Sequence, residues 1–168
     1  DPRAHKLKDY IIENAPAQGA ARVVHGDYGF HNCLVGNEST ISAVLDWEIS
    51  TLGDPLADLA YTLKSWPETF EDITASPAAP TSAGGFPTRS SLAKRYSERT
   101  NLSVDKLDFS IGFNHWKSAA IVHGVYARYL EGKKSTKGID LDELRTRITM
   151  SLNAAVLAID RYKAGTSS

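Results

Sequence analysis

One stretch constrains this chain more tightly than any other: His25-Gly-Asp27-Tyr-Gly-Phe-His-Asn32, followed nineteen positions after Asp27 by Asp46 in Val44-Leu-Asp46-Trp-Glu48. It sets out a carboxylate, a carboxamide five residues on and a second carboxylate at a strand end. For these three polar groups to meet, the chain between them has to double back over short extended segments. Ala21 to Val24 reads as a strand running into the loop. Cys33–Val35 and Ile41–Leu45 flank Gly36-Asn37-Glu38 as a hairpin.

The rest of the chain is helical in pattern. Leu7, Tyr10, Ile11 and Ile12 give a short helix over residues 3 to 14, ended by Pro16 and Gly19. Asp54 stands at an N-cap position with Pro55 at the first helical residue, and Leu56, Leu59, Ala60 and Leu63 line one face of a helix running to about Trp66. Residues 67 to 87, rich in Pro, Ala, Ser, Thr and Gly, predict an irregular loop. A modest helix follows over 88–99. Ser103 then caps a long one from Val104 to about Glu131, with Gly112 and Gly124 as candidate bend points. Residues 132–138 form a lysine-bearing linker, and Asp140 to Lys163 closes the chain with Leu144, Ile148, Leu152, Ala155, Val156 and Ile159 facing inward. The expected fold class is α+β and mostly helical, a single domain over 1–168 whose short β-hairpins carry the polar loop.

Composition narrows the function classes. Nineteen Lys and Arg balance twenty Asp and Glu, so there is no basic field to hold nucleic acid or an anionic membrane. No apolar run reaches the roughly 18 residues that span a bilayer. The single cysteine, Cys33, has no intrachain partner; it reads as a small core residue and fits a reducing compartment, so the expected location is the cytoplasm.

Phosphoryl transfer needs an acceptor hydroxyl held in line, a group to take its proton late, and metal ions on the phosphate oxygens. Asp27 suits the acceptor side as the catalytic carboxylate. Asn32 and Asp46 offer the hard oxygens that Mg²⁺ prefers. Glu48, two residues beyond Asp46, shares its side of an extended segment and is a further candidate for the metal shell or the acceptor.

These segments, with Gly53-Asp-Pro-Leu-Ala-Asp58-Leu-Ala-Tyr61, resemble the aminoglycoside phosphotransferase and choline kinase group of protein-kinase-like enzymes. Within it they look most like the branch associated with acyl-CoA dehydrogenases, as does Ala119-Ala-Ile-Val-His-Gly-Val-Tyr-Ala-Arg128. The resemblance covers the chain as the family's C-terminal lobe, catalytic and acceptor-binding. It implies ATP as co-substrate, Mg²⁺ on Asn32 and Asp46, catalysis by Asp27, and structural support of the loop by His25 and Asp58. It also implies a small-molecule hydroxyl acceptor, a hydroxyacyl thioester or an aminoglycoside-like alcohol, and a partner N-terminal lobe that covers ATP and is absent from the chain. Gly29 stands where protein kinases often place a lysine.

Two other readings stand beside this one. A catalytically silent kinase-like module or inactive fragment would have no chemical reason to keep Asp27, Asn32 and Asp46 together. A hydrolase using the two carboxylates has no motif in its favour. A polycationic aminoglycoside would want an acidic cleft, for which Glu68, Glu71 and Asp72 are the candidates.

Overall fold

In the computed structural model, residues 1–19, 21–37, 40–68 and 80–166 are described. They form two compact units, Pro16–Ser110 and a second made of Asp1–Ala15 with Ile111–Ser168.

Among the described residues, every strand lies in the first unit. β1 (Arg22–Val24) pairs antiparallel with β4 (Thr51–Gly53), Val23 opposite Leu52. β2 (Cys33–Val35) pairs with β3 (Ile41–Val44), Leu34 opposite Ala43, with an irregularity at Val35. The chain leaves β1, makes the polar loop and the β2–β3 hairpin, then returns to close the outer pair through β4. The sequence pattern anticipated two small ladders on a helical body but not β4, whose three residues carry no alternation of their own. Gly36 N–H donates to the Thr40 carbonyl at 2.8 Å to shape the hairpin turn; Glu38 lies outside the described residues.

α2 (Leu56–Leu63) starts as the capping signal predicts: the Asp54 carboxylate accepts the Leu56 N–H at 2.9 Å, with Pro55 between them. Leu56, Ala60 and Leu63, spaced by four and three, are buried. The regular helix ends at Leu63 rather than Trp66, and Trp66 N–H closes a last turn on the Leu63 carbonyl. Within the loop expected over 67–87, Pro80–Ala83 makes a short 3₁₀ turn, and residues 69–79, with Glu71 and Asp72, lie outside the described residues. Glu68 is engaged locally, accepting the Ser90 N–H at 3.0 Å and facing Arg89 at 3.8 Å, where α3 (Arg89–Thr100) begins. Thr88 caps α3, and Asn101 ends it in the left-handed conformation at φ 60°.

The second unit is helical. α1 (Pro2–Glu13), capped by Asp1, buries Leu7 and Ile11. Arg3 Nη1 donates to Asn153 Oδ1 at 2.5 Å, and Trp116 Nε1 donates to the Ala4 carbonyl at 2.9 Å. α4 (Leu107–Leu130) is one uninterrupted helix. It begins three residues later than its pattern suggests, because Ser103 caps an isolated turn: its hydroxyl accepts the Asp105 N–H, and Leu107 N–H bonds the Val104 carbonyl. α5 (Leu141–Thr166) is capped by Asp140, which accepts from Asp142 and Glu143. Its buried positions are Leu152, Ala154, Ala155, Ala158 and Ile159, a run whose three alanines lie between two larger residues. Gly112 answers that run: a Cβ there would lie 2.8 Å from Ile159 Cδ1 and 3.3 Å from the Ala155 carbonyl oxygen, so this glycine permits close helix packing. No helix among the described residues is long and apolar enough to cross a membrane.

Gly112→Val is expected to destabilise the protein by about 1–3 kcal/mol through overpacking against Ile159. Urea denaturation should show a smaller penalty for the same change in an Ile159→Ala background. Equal penalties in both backgrounds would mean that the close approach does not explain the glycine.

Candidate active site

The polar loop is held by one face of α2. The Asp58 carboxylate accepts the backbone N–H of His25 at 2.6 Å through Oδ2 and that of Gly26 at 2.8 Å through Oδ1. One turn on, Thr62 Oγ1 donates to the Tyr28 carbonyl at 2.7 Å. Tyr61, between them on the same face, hydrogen-bonds the Asp27 carboxylate. Positions 58, 61 and 62 are i, i+3 and i+4, so a single helical face addresses four consecutive loop residues while the opposite face is buried. Removing the Asp58 carboxylate would strand two N–H groups, at about 1–3 kcal/mol each. Gly26 supplies the bend between them at φ 87°, a region that favours glycine.

His25 is the second tie. Its ring is 2% exposed, accepts the Asp27 N–H at Nδ1 (3.3 Å) and lies 2.7 Å from the Leu45 carbonyl at Nε2. With Nδ1 accepting, the proton sits on Nε2 and donates to Leu45. The imidazole therefore bridges the backbone beside Asp27 to the backbone beside Asp46. Leu45 N–H donates in turn to the Asn32 carbonyl at 2.8 Å, which ties in the third polar position. Trp47 packs on the His25 ring at 4.8 Å between centroids and donates from Nε1 to the Val44 carbonyl.

Around the Asp27 carboxylate, 30% exposed, the donors converge. Asn32 Nδ2 lies 3.3 Å from Oδ2 and 2.9 Å from the Asp27 carbonyl, and His31 Nε2 lies 3.2 Å from Oδ2. Burial pushes the Asp27 carboxyl up, but the hydrogen bonds from Tyr61, His31 and Asn32 outweigh it and hold the group below its usual range. Asp27 is thus an ionised, oriented carboxylate rather than a strong base.

Asn32 is 7% exposed and spends its amide hydrogens on Asp27, leaving Oδ1 without a protein partner among the described residues. Asp46 is exposed and left-handed at φ 64°, ψ 51°, a conformation that aspartate tolerates better than most residues. Trp47–Ile49 follow as a 3₁₀ turn. The alternation that put Glu48 on Asp46's side of an extended segment therefore does not hold, since the left-handed residue and the turn replace the strand. Among the described residues, no three His, Cys, Asp or Glu side chains cluster as a metal cage. The oxygen set of Asn32 and Asp46 nonetheless fits Mg²⁺, which takes one or two protein oxygens and completes its shell with water and substrate phosphates.

A cavity of about 680 Å³ adjoins the loop, bounded by Tyr28, Gly29 and Phe30, by Leu59 and Leu63 of α2, and by Arg95, Tyr96 and Arg99 of α3. Phe30 and Trp66, both on its wall, pack with Phe86 at ring distances of 5.6–5.8 Å. Arg95 and Arg99 are exposed, one turn apart, and take no ion pair among the described residues.

Two residues of this site have no role read from the sequence: Tyr61, the last residue of the Gly53-to-Tyr61 segment, and Thr62, just beyond it. Helical spacing from Asp58 is what places them against the loop. Tyr61 also gives a direct readout, because burial, the hydrogen bond to Asp27 and the Asp27 charge push its hydroxyl up to about 12 from 10.0. A raised folded-state pKa means that the stability it brings is complete below pH 10 and is lost as pH rises toward 12. Tyrosinate absorbance should lose its latest-titrating step in Tyr61→Phe, while the steps of Tyr10, Tyr28 and Tyr96, also pushed up by burial, remain. An unchanged titration in that variant would rule out the Tyr61–Asp27 bond.

Comparison with known proteins agrees with this geometry. Residues 1–94 match the phosphotransferase enzyme family. Acyl-CoA dehydrogenase family member 10 of Mus musculus is 32% identical over 139 residues, 80% of this chain and 13% of that protein. Family member 11 of Homo sapiens is 31% identical over 142 residues, 81% of this chain and 18% of that protein. The chain thus spans less than a fifth of these relatives. A crystal structure of a candidate aminoglycoside phosphotransferase from Ralstonia eutropha JMP134 superposes with a TM-score of 0.72 at 29% identity, covering 92% of this chain and 49% of that one. The helical body, the two short ladders and the loop that α2 clamps are those of a kinase-like phosphotransferase, and the chain belongs to the phosphotransferase enzyme family.

Proposed function

We propose that the protein transfers the γ-phosphoryl group of Mg-ATP to a hydroxyl of a small anionic molecule, such as a hydroxy acid or hydroxyacyl thioester, in the cytoplasm. The observation that carries the reading is the Asp27 carboxylate, kept ionised by Tyr61, His31 and Asn32 while still solvent-accessible. Such a group accepts a hydrogen bond from the acceptor hydroxyl, aims its oxygen in line and takes the proton late, as the new O–P bond forms and the bond to the ADP oxygen breaks. Asn32 Oδ1 and the Asp46 carboxylate would hold the metal, which when bound neutralises charge on the phosphate oxygens. His25 and Asp58 keep the backbone of these groups fixed. The nucleotide would be covered by an N-terminal lobe outside these residues.

The anionic acceptor is supported by Arg95 and Arg99 on the cavity wall, which take no ion pair among the described residues, where an aminoglycoside would want acids. The acyl-CoA dehydrogenase names of the relatives point to the same class.

The test is an ADP-release assay on the full gene product with Mg-ATP and three acceptor sets: hydroxyacyl-CoA thioesters, aminoglycosides and choline-like alcohols. Mg-dependent turnover is expected with the thioesters, and Asp27→Asn should lower kcat by roughly 10²–10⁴. A double Arg95→Ala, Arg99→Ala variant should raise KM for the acceptor while kcat holds. Undiminished turnover in Asp27→Asn refutes the catalytic assignment; preference for an aminoglycoside refutes the acceptor class.

A further inference from the structure

Gly29 and His31 are built as a pair. Gly29 is extended, at φ −170° and ψ 173°, so its backbone would suit any residue. The need for glycine is steric: a Cβ there would lie 2.8 Å from His31 Cε1 and 2.9 Å from its Nδ1. The imidazole thus lies over the glycine, in the space a side chain at 29 would enter, with its far nitrogen, Nε2, 3.2 Å from Asp27 Oδ2. The His31 side chain is 57% exposed, so no packed wall obliges it to fold this way. Asn32 Nδ2 addresses the same oxygen at 3.3 Å. With the imidazole proton on Nε2, His31 and Asn32 both address Oδ2, which restrains rotation about the Asp27 Cβ–Cγ bond and hence the direction of Oδ1.

We propose that His31, admitted by the bare backbone of Gly29, is a positioning residue that sets the orientation of the Asp27 carboxylate toward the acceptor hydroxyl. This rests on the reading of Asp27 as the acceptor-aligning carboxylate. The exposed imidazole can swing outward at little cost, which makes Gly29→Ala a local probe: the added methyl expels the ring without disturbing the core.

Two measurements on the intact protein test it. The first needs no turnover: NMR should show a strong NOE between His31 Hε1 and the Gly29 Hα protons, lost in Gly29→Ala while the melting temperature is kept. Its absence in the unsubstituted protein overturns the pairing. The second is steady-state ADP release from Mg-ATP, with water as acceptor and with the best hydroxyl from the acceptor screen. His31→Ala and Gly29→Ala should each lower kcat about tenfold with KM unchanged. The double variant should be no slower than either, and His31→Gln, which keeps an N–H donor, should recover most of the loss. Multiplicative losses, or full kcat in His31→Ala, overturn the proposal. If Asp27→Asn retains full activity, the reading of Asp27 fails instead, whatever the His31 variants do.

Discussion

The site depends first on the Asp58 carboxylate and the two backbone N–H groups it receives. A loop that must present Asp27 and Asn32 outward has few backbone partners of its own, and buried N–H groups left unpaired would make the conformation costly. Asp58 resolves this by supplying both its oxygens to His25 and Gly26 from a helix whose apolar face is already fixed in the core. Thr62 adds the carbonyl of Tyr28, and Tyr61 reaches the carboxylate itself. The apolar face of α2 positions the polar one, and the polar one positions the chemistry. A change in the packing of Ala60 or Leu63 would therefore reach the Asp27 loop through four hydrogen bonds from one rigid element.

His25 extends the same frame across the hairpin. A histidine in such a loop invites assignment as a proton carrier, yet both its ring nitrogens are occupied by backbone, one by Asp27 and one by Leu45. A ring so committed has no nitrogen left for substrate. Its contribution is geometric: the two carboxylates are nineteen residues apart in sequence, and the imidazole holds their backbones one ring's width from each other. Trp47, next to Asp46, packs against that ring at a tilt of 53°.

Much of this was legible in the sequence because its signals are local. Asp54-Pro55 marks a helix start by capping chemistry, the Gly36 turn marks a hairpin, and the Asp27–Asn32 spacing marks the loop. The features that were not legible are those fixed by distant partners or by a few residues. β4 has three residues and exists as a strand because β1 pairs with it. The regular part of α4 begins at Leu107 because the turn capped by Ser103 closes on itself first. Asp46 takes a left-handed conformation that no glycine announces, and the expected alternation from Asp46 to Glu48 fails with it. Tyr61 and Thr62 are weak helix formers with no chemistry that singles them out in the sequence, so only their register against Asp58 distinguishes them.

The groups left uncommitted by this frame have a consistent polarity. Near the loop they are oxygens: Oδ1 of Asn32, the Asp46 carboxylate and the accessible part of Asp27. Each accepts and none donates, so that surface favours cations and hydroxyl hydrogens. On the adjoining cavity wall the guanidinium groups of Arg95 and Arg99, without an ion pair among the described residues, stand beside apolar and aromatic lining. Arginine forks in that setting favour a carboxylate or phosphate attached to an apolar body. On the proposed reading, one acceptor satisfies both polarities only if it carries a hydroxyl at one end and an anionic group on an apolar stem at the other. On that reading a choline-like alcohol lacks the anion and an aminoglycoside has the opposite charge, so the proposed acceptor class rests on the two arginines of the cavity wall and not on the loop motif, which treats these alcohols alike.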